Sequence, residues 1–79
     1  MTTNDTTPKM NLVDVGDIAK NFLERTAGFY NIRLIKSFFD NSTNLWHMEF
    51  EYGYFQPVIL KVTIKDDTGS IIDYERRPG

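Results

Sequence analysis

Apolar and polar residues alternate one by one in the last third of the chain, which is the pattern of a half-buried β-strand. The even-numbered residues from Leu60 to Ile64 are apolar, and the odd-numbered residues among them are polar. The segment Asp66-Asp67-Thr68-Gly69-Ser70 then suits a type I turn with glycine in the left-handed position, which closes a three-residue hairpin. Ile72 and Tyr74 resume the apolar phase. This part of the chain therefore predicts a β-hairpin.

A different period runs from Leu12 to Ala27, where apolar residues recur at spacings of three and four and form one stripe of an amphipathic helix. Asn11 precedes the stripe and can cap its first free amide groups, and Asp14 is an alternative cap. Gly28 stands where a left-handed residue would end a helix. The sequence therefore predicts one helix before the strands.

Two more strands are expected between this helix and the hairpin. The segment from Tyr30 to Phe39 is the less regular one, and a bulge near Lys36 would let Phe38 or Phe39 turn inward. The segment from residue 45 to residue 54 alternates cleanly, so one of its faces should be buried.

Closing each turn symmetrically sets the register of the last three strands, and the two hairpins then agree in phase. The predicted cross-strand pairs are Trp46–Ile64, Met48–Val62, Phe50–Leu60, Glu49–Lys61, His47–Thr63, Lys61–Glu75, Thr63–Asp73 and Val62–Tyr74. The predicted fold is α+β, with one N-terminal helix packed on one face of a four-stranded antiparallel meander sheet. It occupies a single domain of residues 11–77, preceded by a disordered tail of residues 1–10.

Composition narrows the classes of function. The 79 residues carry a formal net charge of −2, so no overall basic field favours nucleic-acid binding. The absence of cysteine excludes disulfides, thiolate metal sites and a cysteine nucleophile. No signal peptide is recognised, and no apolar run approaches the roughly 20 residues needed to cross a bilayer. We therefore expect a cytoplasmic protein without membrane insertion.

His47, the only histidine, is the first candidate for chemistry, because Glu49, Thr63 and Asp73 should lie near it on the outer face of the sheet. An open sheet face offers no pocket that excludes water, so we interpret His47 as a solvated strand residue. We expect no enzymatic activity and no cofactor.

Metal binding is the second candidate chemistry. The acidic residues of the outer face are interleaved with Lys61 and Arg76, which partly cancel their attraction for a cation. The turn at residues 66–69 lacks the spaced acidic series of an EF-hand loop. We therefore predict no metal site.

The aromatic residues could form a base-stacking platform, as RNA-binding sheets do. They are Tyr30, Trp46, Phe50, Tyr52 and Tyr54. Their phase matches the helix-facing side of the sheet, so we assign them to the core, with Tyr52, Tyr54 and Phe55 at its rim.

Apolar residues in the opposite phase are the candidate partner surface, namely Ile35, Phe39, Leu45, Ile59 and Ile71. An interaction patch and incidental exposure both remain open. The charged residues of the last strand discourage pairing of that sheet edge with another chain. The first strand has fewer such charges and could pair with a second chain. A protein partner and a homodimer through an edge strand are the expected associations.

Several motifs together resemble the gas vesicle protein O family. They are Ala19 and Leu23 in the helix, Thr26 and Gly28 at its end, Trp46 followed by Glu49 and Glu51, Pro57 in the middle turn, and the closing segment from Gly69 to Arg76. The family usually has arginine-isoleucine-proline where this chain has Phe55-Gln56-Pro57, and its arginine-rich ending is shortened here to Arg76-Arg77-Pro78-Gly79. The resemblance implies an accessory protein of gas-vesicle assembly.

A weaker likeness is to the PepSY domain, whose closing hairpin resembles the segment from Val62 to Ile72 with Asp67-Thr68-Gly69 at its turn. That likeness implies a peptidase-inhibiting or ligand-sensing binding module. Both families have the order of one helix and four strands. The sequence therefore predicts a small non-enzymatic interaction or accessory protein, with the PepSY-like module as the alternative.

Overall fold

The computed structural model describes residues 8–79 and has the predicted α+β architecture. Its elements are α1 (Leu12–Arg25), β1 (Arg33–Asp40), β2 (Leu45–Tyr52), β3 (Val58–Lys65) and β4 (Ile71–Pro78). The four strands form one antiparallel sheet in the order β1-β2-β3-β4, and α1 packs against β2 and β3 on one face. We call this the inner face, and the opposite, uncovered face the outer face.

Helix α1 begins at Leu12 as the sequence indicates and ends at Arg25, two residues before the end of the predicted stripe at Ala27. The side chain of Asn11 accepts a hydrogen bond of 2.8 Å from the amide of Asp14, as a capping residue does. The amides of Thr26 and Ala27 both donate to the carbonyl of Phe22 and close the last turn. Gly28 follows with φ at +81°, so it is the left-handed residue that the sequence predicts.

Every predicted cross-strand pair is present in the sheet. Trp46 lies opposite Ile64, and Glu49 lies opposite Lys61. Lys61 in turn lies opposite Glu75. The register is well specified because a slip of one residue would move a whole apolar set to the uncovered face.

Two bulges shift the phase of the edge strands. In β1 the register shifts between Leu34 and Lys36, which leaves Ile35 unpaired and confirms the predicted bulge. In β4 it shifts so that Ile64 pairs with Ile71, which leaves Ile72 unpaired and half exposed. The expectation that Ile72 continues the inner apolar phase is therefore wrong.

The core lies between α1 and the inner face. Its fully buried apolar side chains come from the helix and the two central strands: Val15, Ala19, Leu23, Met48, Leu60, Val62 and Ile64. Trp46 and Phe50 complete it and are almost fully buried. Full burial of one aliphatic side chain of this size contributes about 1.5–3 kcal/mol, so this set supplies most of the stabilisation available to so small a domain.

Ordered contacts begin before the predicted domain boundary at residue 11. The amides of Lys9 and Met10 donate to the carboxylate of Asp66 at 2.7 and 3.1 Å, and Met10 packs against the core. Residues 9 and 10 therefore differ from the expected disordered tail, while residues 1–7 of that tail lie outside the described residues. Within residues 8–79, no helix combines the length and the apolar character needed to span a membrane.

Candidate functional site

The five residues of the predicted partner surface do not lie on one surface. Leu45 and Ile59 are half-buried on the outer face, and Ile35 is half-exposed at the bulge of β1. Phe39 and Ile71 instead pack against the core. Phe39 follows the bulge of β1 and Ile71 precedes the bulge of β4, and each bulge moves the residue to the inner face of the sheet. This corrects the assignment of Phe39 and Ile71 to the outer face.

Charged residues of alternating sign cover the outer face. One row across the sheet consists of Lys36, Glu49, Lys61 and Glu75, so Lys36 of β1 extends the predicted pairs Glu49–Lys61 and Lys61–Glu75. The side-chain ion pairs, however, join other partners. Arg33 contacts Glu51 at 3.0 Å, and Arg77 contacts Glu49 at 3.7 Å. Both pairs are partly exposed, so each contributes at most about 1 kcal/mol.

His47 lies in a shallow depression of about 260 Å³ on the outer face, lined by Lys36, Phe38, Glu49 and Lys61. Its ring stands 5.9 Å from that of Phe38, centroid to centroid, at an interplanar angle of 31°. The depression is part of an open surface, and its walls are long flexible side chains. Among residues 8–79, no three His, Cys, Asp or Glu side chains are grouped so that they could hold a metal ion.

Asp66 is a buried carboxylate at the start of the last turn. It accepts hydrogen bonds from the amides of Lys9 and Met10 and, at 2.9 Å, from the indole N–H of Trp46. Burial by itself would raise the pKa of Asp66, but the three N–H donors outweigh burial and hold that pKa below its usual value. Asp66 therefore joins the N-terminal segment, β2 and the last turn, and its role is structural.

The loop between β2 and β3, residues 53–57, presents two consecutive exposed aromatic side chains. Tyr54 is 79% exposed and Phe55 is 99% exposed. Gly53 starts the loop with φ at +95°, a conformation that side-chain-bearing residues rarely adopt. We call this segment the β2–β3 loop.

Arg33 fixes the base of the β2–β3 loop. Its Nη2 atom donates to the carbonyl of Gly53 at 2.9 Å and to Glu51 at 3.0 Å. Its guanidinium carbon lies 4.9 Å from the centroid of the Tyr54 ring, which is a cation–π contact. The start of the loop, at Gly53 and Tyr54, is therefore held from the neighbouring strand, although the aromatic side chains of the loop are exposed.

Arginine and aromatic side chains also occupy the rest of this end of the sheet. Tyr52 packs edge to face on Phe29 at 4.9 Å, and the guanidinium of Arg76 lies 5.9 Å from the Phe29 ring centroid. Tyr30 is exposed, because it precedes β1 and does not belong to the sheet. Its expected place in the core is therefore wrong, whereas Trp46 and Phe50 are buried as predicted.

Strand β1 forms an edge of the sheet, and no other strand among residues 8–79 pairs with its free side. Five consecutive residues, Leu34 to Phe38, are exposed along it. Phe38 is 54% exposed and lies on the outer face opposite His47. An exposed edge strand with apolar neighbours is a template for pairing with another chain.

Two of these features escaped sequence reasoning. In the sequence, Asp66 has the pattern of an ordinary turn residue. A buried tryptophan such as Trp46 needs an acceptor for its N–H, and this requirement is the one signal in the sequence that points to a buried acceptor such as Asp66. The contact between Arg33 and the β2–β3 loop has no local signal, because its partners are 18 to 21 residues away in the chain.

Comparison of the chain with protein-family models, with curated proteins and with solved structures finds no match in any of the three.

Proposed function

We propose that this chain is a non-enzymatic accessory module of the cytoplasm that binds a partner protein through the β2–β3 loop. The observation that carries the proposal is the near-complete exposure of Phe55 beside Tyr54 on a loop held by Arg33. A few residues carry most of the binding energy at a protein interface, and aromatic side chains buried in a pocket of the partner are common among them.

Preorganisation supports this proposal. A mobile aromatic loop would lose conformational entropy on binding, which costs about 0.5–1.5 kcal/mol for each side chain that becomes fixed. Arg33 already restrains Tyr54 through the ring contact and restrains Gly53 through the hydrogen bond to its carbonyl. Gly53 and Tyr54 therefore lose little freedom when a partner encloses the loop, and the cost of ordering falls mainly on the side chain of Phe55.

The charges around the loop indicate the chemistry of the partner. Arg76 and Arg77 lie at the end of β4, beside the start of β3, and so at the same end of the sheet as the loop. Arg33 lies at its base. Arg33 and Arg77 pair with Glu51 and Glu49, so acidic residues at the rim of an apolar pocket for Phe55 would be drawn mainly to Arg76. Opposite charges across an interface favour association and orientation.

The resemblance to the gas vesicle protein O family makes proteins of the gas vesicle the first candidates for this partner. The resemblance to PepSY domains makes a peptidase the alternative. A non-enzymatic role is supported by the surroundings of His47, which lies in an open depression among Lys36, Phe38 and Glu49. General acid–base catalysis requires a base held within hydrogen-bonding reach of its substrate, and a shallow open face does not position one.

Site-specific photocrosslinking tests the proposal. A photoreactive phenylalanine analogue at position 55 should give a discrete adduct with one protein in native lysate. The same analogue at position 13, an exposed residue of α1, should not give that adduct. Introducing Arg33→Ala should weaken the adduct from position 55 while the protein stays folded.

The identity of the crosslinked protein separates the finer alternatives. A gas-vesicle protein would support the assembly role, and a peptidase would support the PepSY-like role instead. Equal adducts from positions 55 and 13, or none from position 55, would overturn the loop as a docking site. Binding to phosphatidylserine vesicles that is lost on Phe55→Ser would also overturn it, because the loop would then recognise a membrane surface.

A further inference from the structure

We propose that the protein forms a symmetric dimer in which β1 pairs antiparallel with β1 of a second copy, with Phe38 opposite Phe38 of that copy. The proposal rests on the edge strand rather than on the β2–β3 loop, so it goes beyond the proposed function. The free side of β1 is exposed from Leu34 to Phe38, and pairing would join two four-stranded sheets into one.

The bulge at Ile35 limits the segment that can pair regularly. Residues opposite each other in an antiparallel pair point to the same face of the sheet. On β1, Lys36, Phe38 and Asp40 point to the outer face, because they lie opposite outer-face residues of β2. Ser37 and Phe39 point to the inner face. The regular segment from Lys36 to Asp40 can therefore pair with itself only when outer residues meet outer residues.

Charge selects one register from those that remain. With Phe38 at the two-fold axis, Lys36 of each copy lies directly opposite Asp40 of the other copy, on the same face. Opposite charges in this position stabilise a strand pair, whereas like charges destabilise it. With Lys36 at the axis two lysines would meet, and with Ser37 or Phe39 at the axis no opposite charges meet.

Asp40 is suited to this role. The Ser42 hydroxyl and amide donate to Oδ1 of Asp40 at 2.6 and 3.0 Å and hold the pKa of Asp40 below its usual value, so its carboxylate is charged. These two bonds do not use Oδ2. A lysine on an edge strand normally discourages pairing with another strand. In this dimer Asp40 of the other copy lies opposite Lys36, so Lys36 favours the register centred on Phe38 over the other registers.

The other edge, β4, does not offer a comparable register. Centring a symmetric pair on Asp73, Glu75, Arg76 or Arg77 places two identical charges opposite each other at the axis. Centring it on Tyr74 places Asp73 opposite Glu75. Pro78 also lacks an amide hydrogen for a ladder. Centring on Glu75 or Arg76 also sets opposite charges together, Asp73 with Arg77 or Glu75 with Arg77, but beside two like charges at the axis. The Phe38 register of β1 has attractive pairs without like charges, so β1 is the better edge for self-pairing.

Charge reversal tests the register. We expect Lys36→Glu to raise the dimer dissociation constant about tenfold or more in sedimentation equilibrium, because two attractive pairs become repulsive. Adding Asp40→Lys to Lys36→Glu should restore much of the affinity. The matched control is Lys20→Glu, the same charge change on the exposed side of α1, which should leave dimerisation unchanged.

Disulfide trapping tests the two-fold axis directly, because the chain has no cysteine. Opposite residues of an antiparallel pair lie within disulfide range, so Phe38→Cys should crosslink to itself under mild oxidation. Ile72→Cys, an exposed residue at the bulge of β4, is the control and should remain uncrosslinked.

Folded wild-type protein that stays monomeric at millimolar concentration would overturn the proposal. A dimer indifferent to Lys36→Glu, or trapped through Ile72→Cys rather than Phe38→Cys, would overturn the β1 register as well. Because Phe55 lies at the opposite end of the sheet, Phe55→Ser should leave dimerisation intact. Failure of the dimer and failure of the docking loop are therefore distinguishable.

Discussion

Trp46 donates its indole N–H to the buried carboxylate of Asp66 at 2.9 Å, across 20 residues of chain. This bond joins the start of β2 to the end of β3, and the same carboxylate also holds the amides of Lys9 and Met10. One side chain therefore accepts from three N–H groups, of which the indole N–H of Trp46 is buried and the two amides are partly buried. Within residues 8–79, it joins the segment before α1 to the sheet.

Asp66→Ala should destabilise the protein by about 3 kcal/mol, because the buried indole N–H of Trp46 loses its acceptor and two partly buried amides lose theirs. A buried donor without an acceptor costs about 1–3 kcal/mol. Urea unfolding followed by the fluorescence of Trp46, the only tryptophan, measures the loss. Asp67→Ala changes the exposed neighbour in the same turn and should stay within about 0.5 kcal/mol of wild type. Equal effects of the two substitutions would contradict the structural role of Asp66.

Acid should remove the stabilisation that Asp66 provides. Because the folded-state pKa of Asp66 is below its ordinary value of 3.8, the unfolded chain takes up this proton first as pH falls. The contribution is fully present above that value and is lost as pH falls through the folded-state pKa. The unfolding free energies of wild type and Asp66→Asn should therefore converge below about pH 4. A constant difference from pH 7 to pH 3 would contradict this.

The sheet register could be derived from the sequence because two local signals agree. Alternation from Trp46 to Tyr52 and from Leu60 to Ile64 sets which residues share a face, and the turns next to these segments set which of them meet. The partners of Asp66 could not be derived in this way. The amides of Lys9 and Met10 are 57 and 56 residues away, and their approach depends on the packed fold.

Two glycines with positive φ offer a matched test of packing at the last turn. Both Gly69 and Gly28 have φ values that disfavour a side chain, at +74° and +81°. A Cβ atom at Gly69 would lie 3.1 Å from Cδ1 of Ile18, whereas one at Gly28 would meet nothing within 4 Å. Gly28→Ala should cost about 1 kcal/mol and Gly69→Ala about 2 kcal/mol in urea unfolding. Equal costs would mean that Ile18 moves aside freely.

The bulges explain why the predicted partner surface was harder to place than the core. Each bulge inserts one residue into an edge strand, and several neighbouring apolar residues could equally well be the inserted one. Near Lys36 the sequence left Phe38 and Phe39 as alternatives, and the structure turns Phe39 inward against Trp46. The alternation of residues in β4 does not indicate a bulge at Ile72. The sequence therefore predicts the outer face for Ile71, whereas the structure pairs Ile71 with Ile64 on the inner face.

Dimerisation through β1 would give the two β2–β3 loops a defined relation. The paired strands run in opposite directions and meet near Phe38, close to the ends of β1 that are remote from Arg33. The two loops would then point away from each other at the far ends of the joined sheet. Such a dimer could bridge two partner molecules, and its avidity would exceed the affinity of either loop alone.

Arg33→Ala should loosen the β2–β3 loop far more than it weakens the fold. The ion pair with Glu51 is partly exposed, so its loss should reduce the unfolding free energy by no more than about 1 kcal/mol. The loop loses both the hydrogen bond at the Gly53 carbonyl and the contact on Tyr54. Nuclear magnetic resonance should show lower backbone order parameters at residues 53–56 and a changed ring shift at Tyr54.

Arg77→Ala, which removes an ion pair on the same face, should leave those signals unchanged. An unaltered loop in Arg33→Ala would mean that Gly53 and Pro57 alone fix its geometry, and Arg33 would then contribute to partner binding only through its charge.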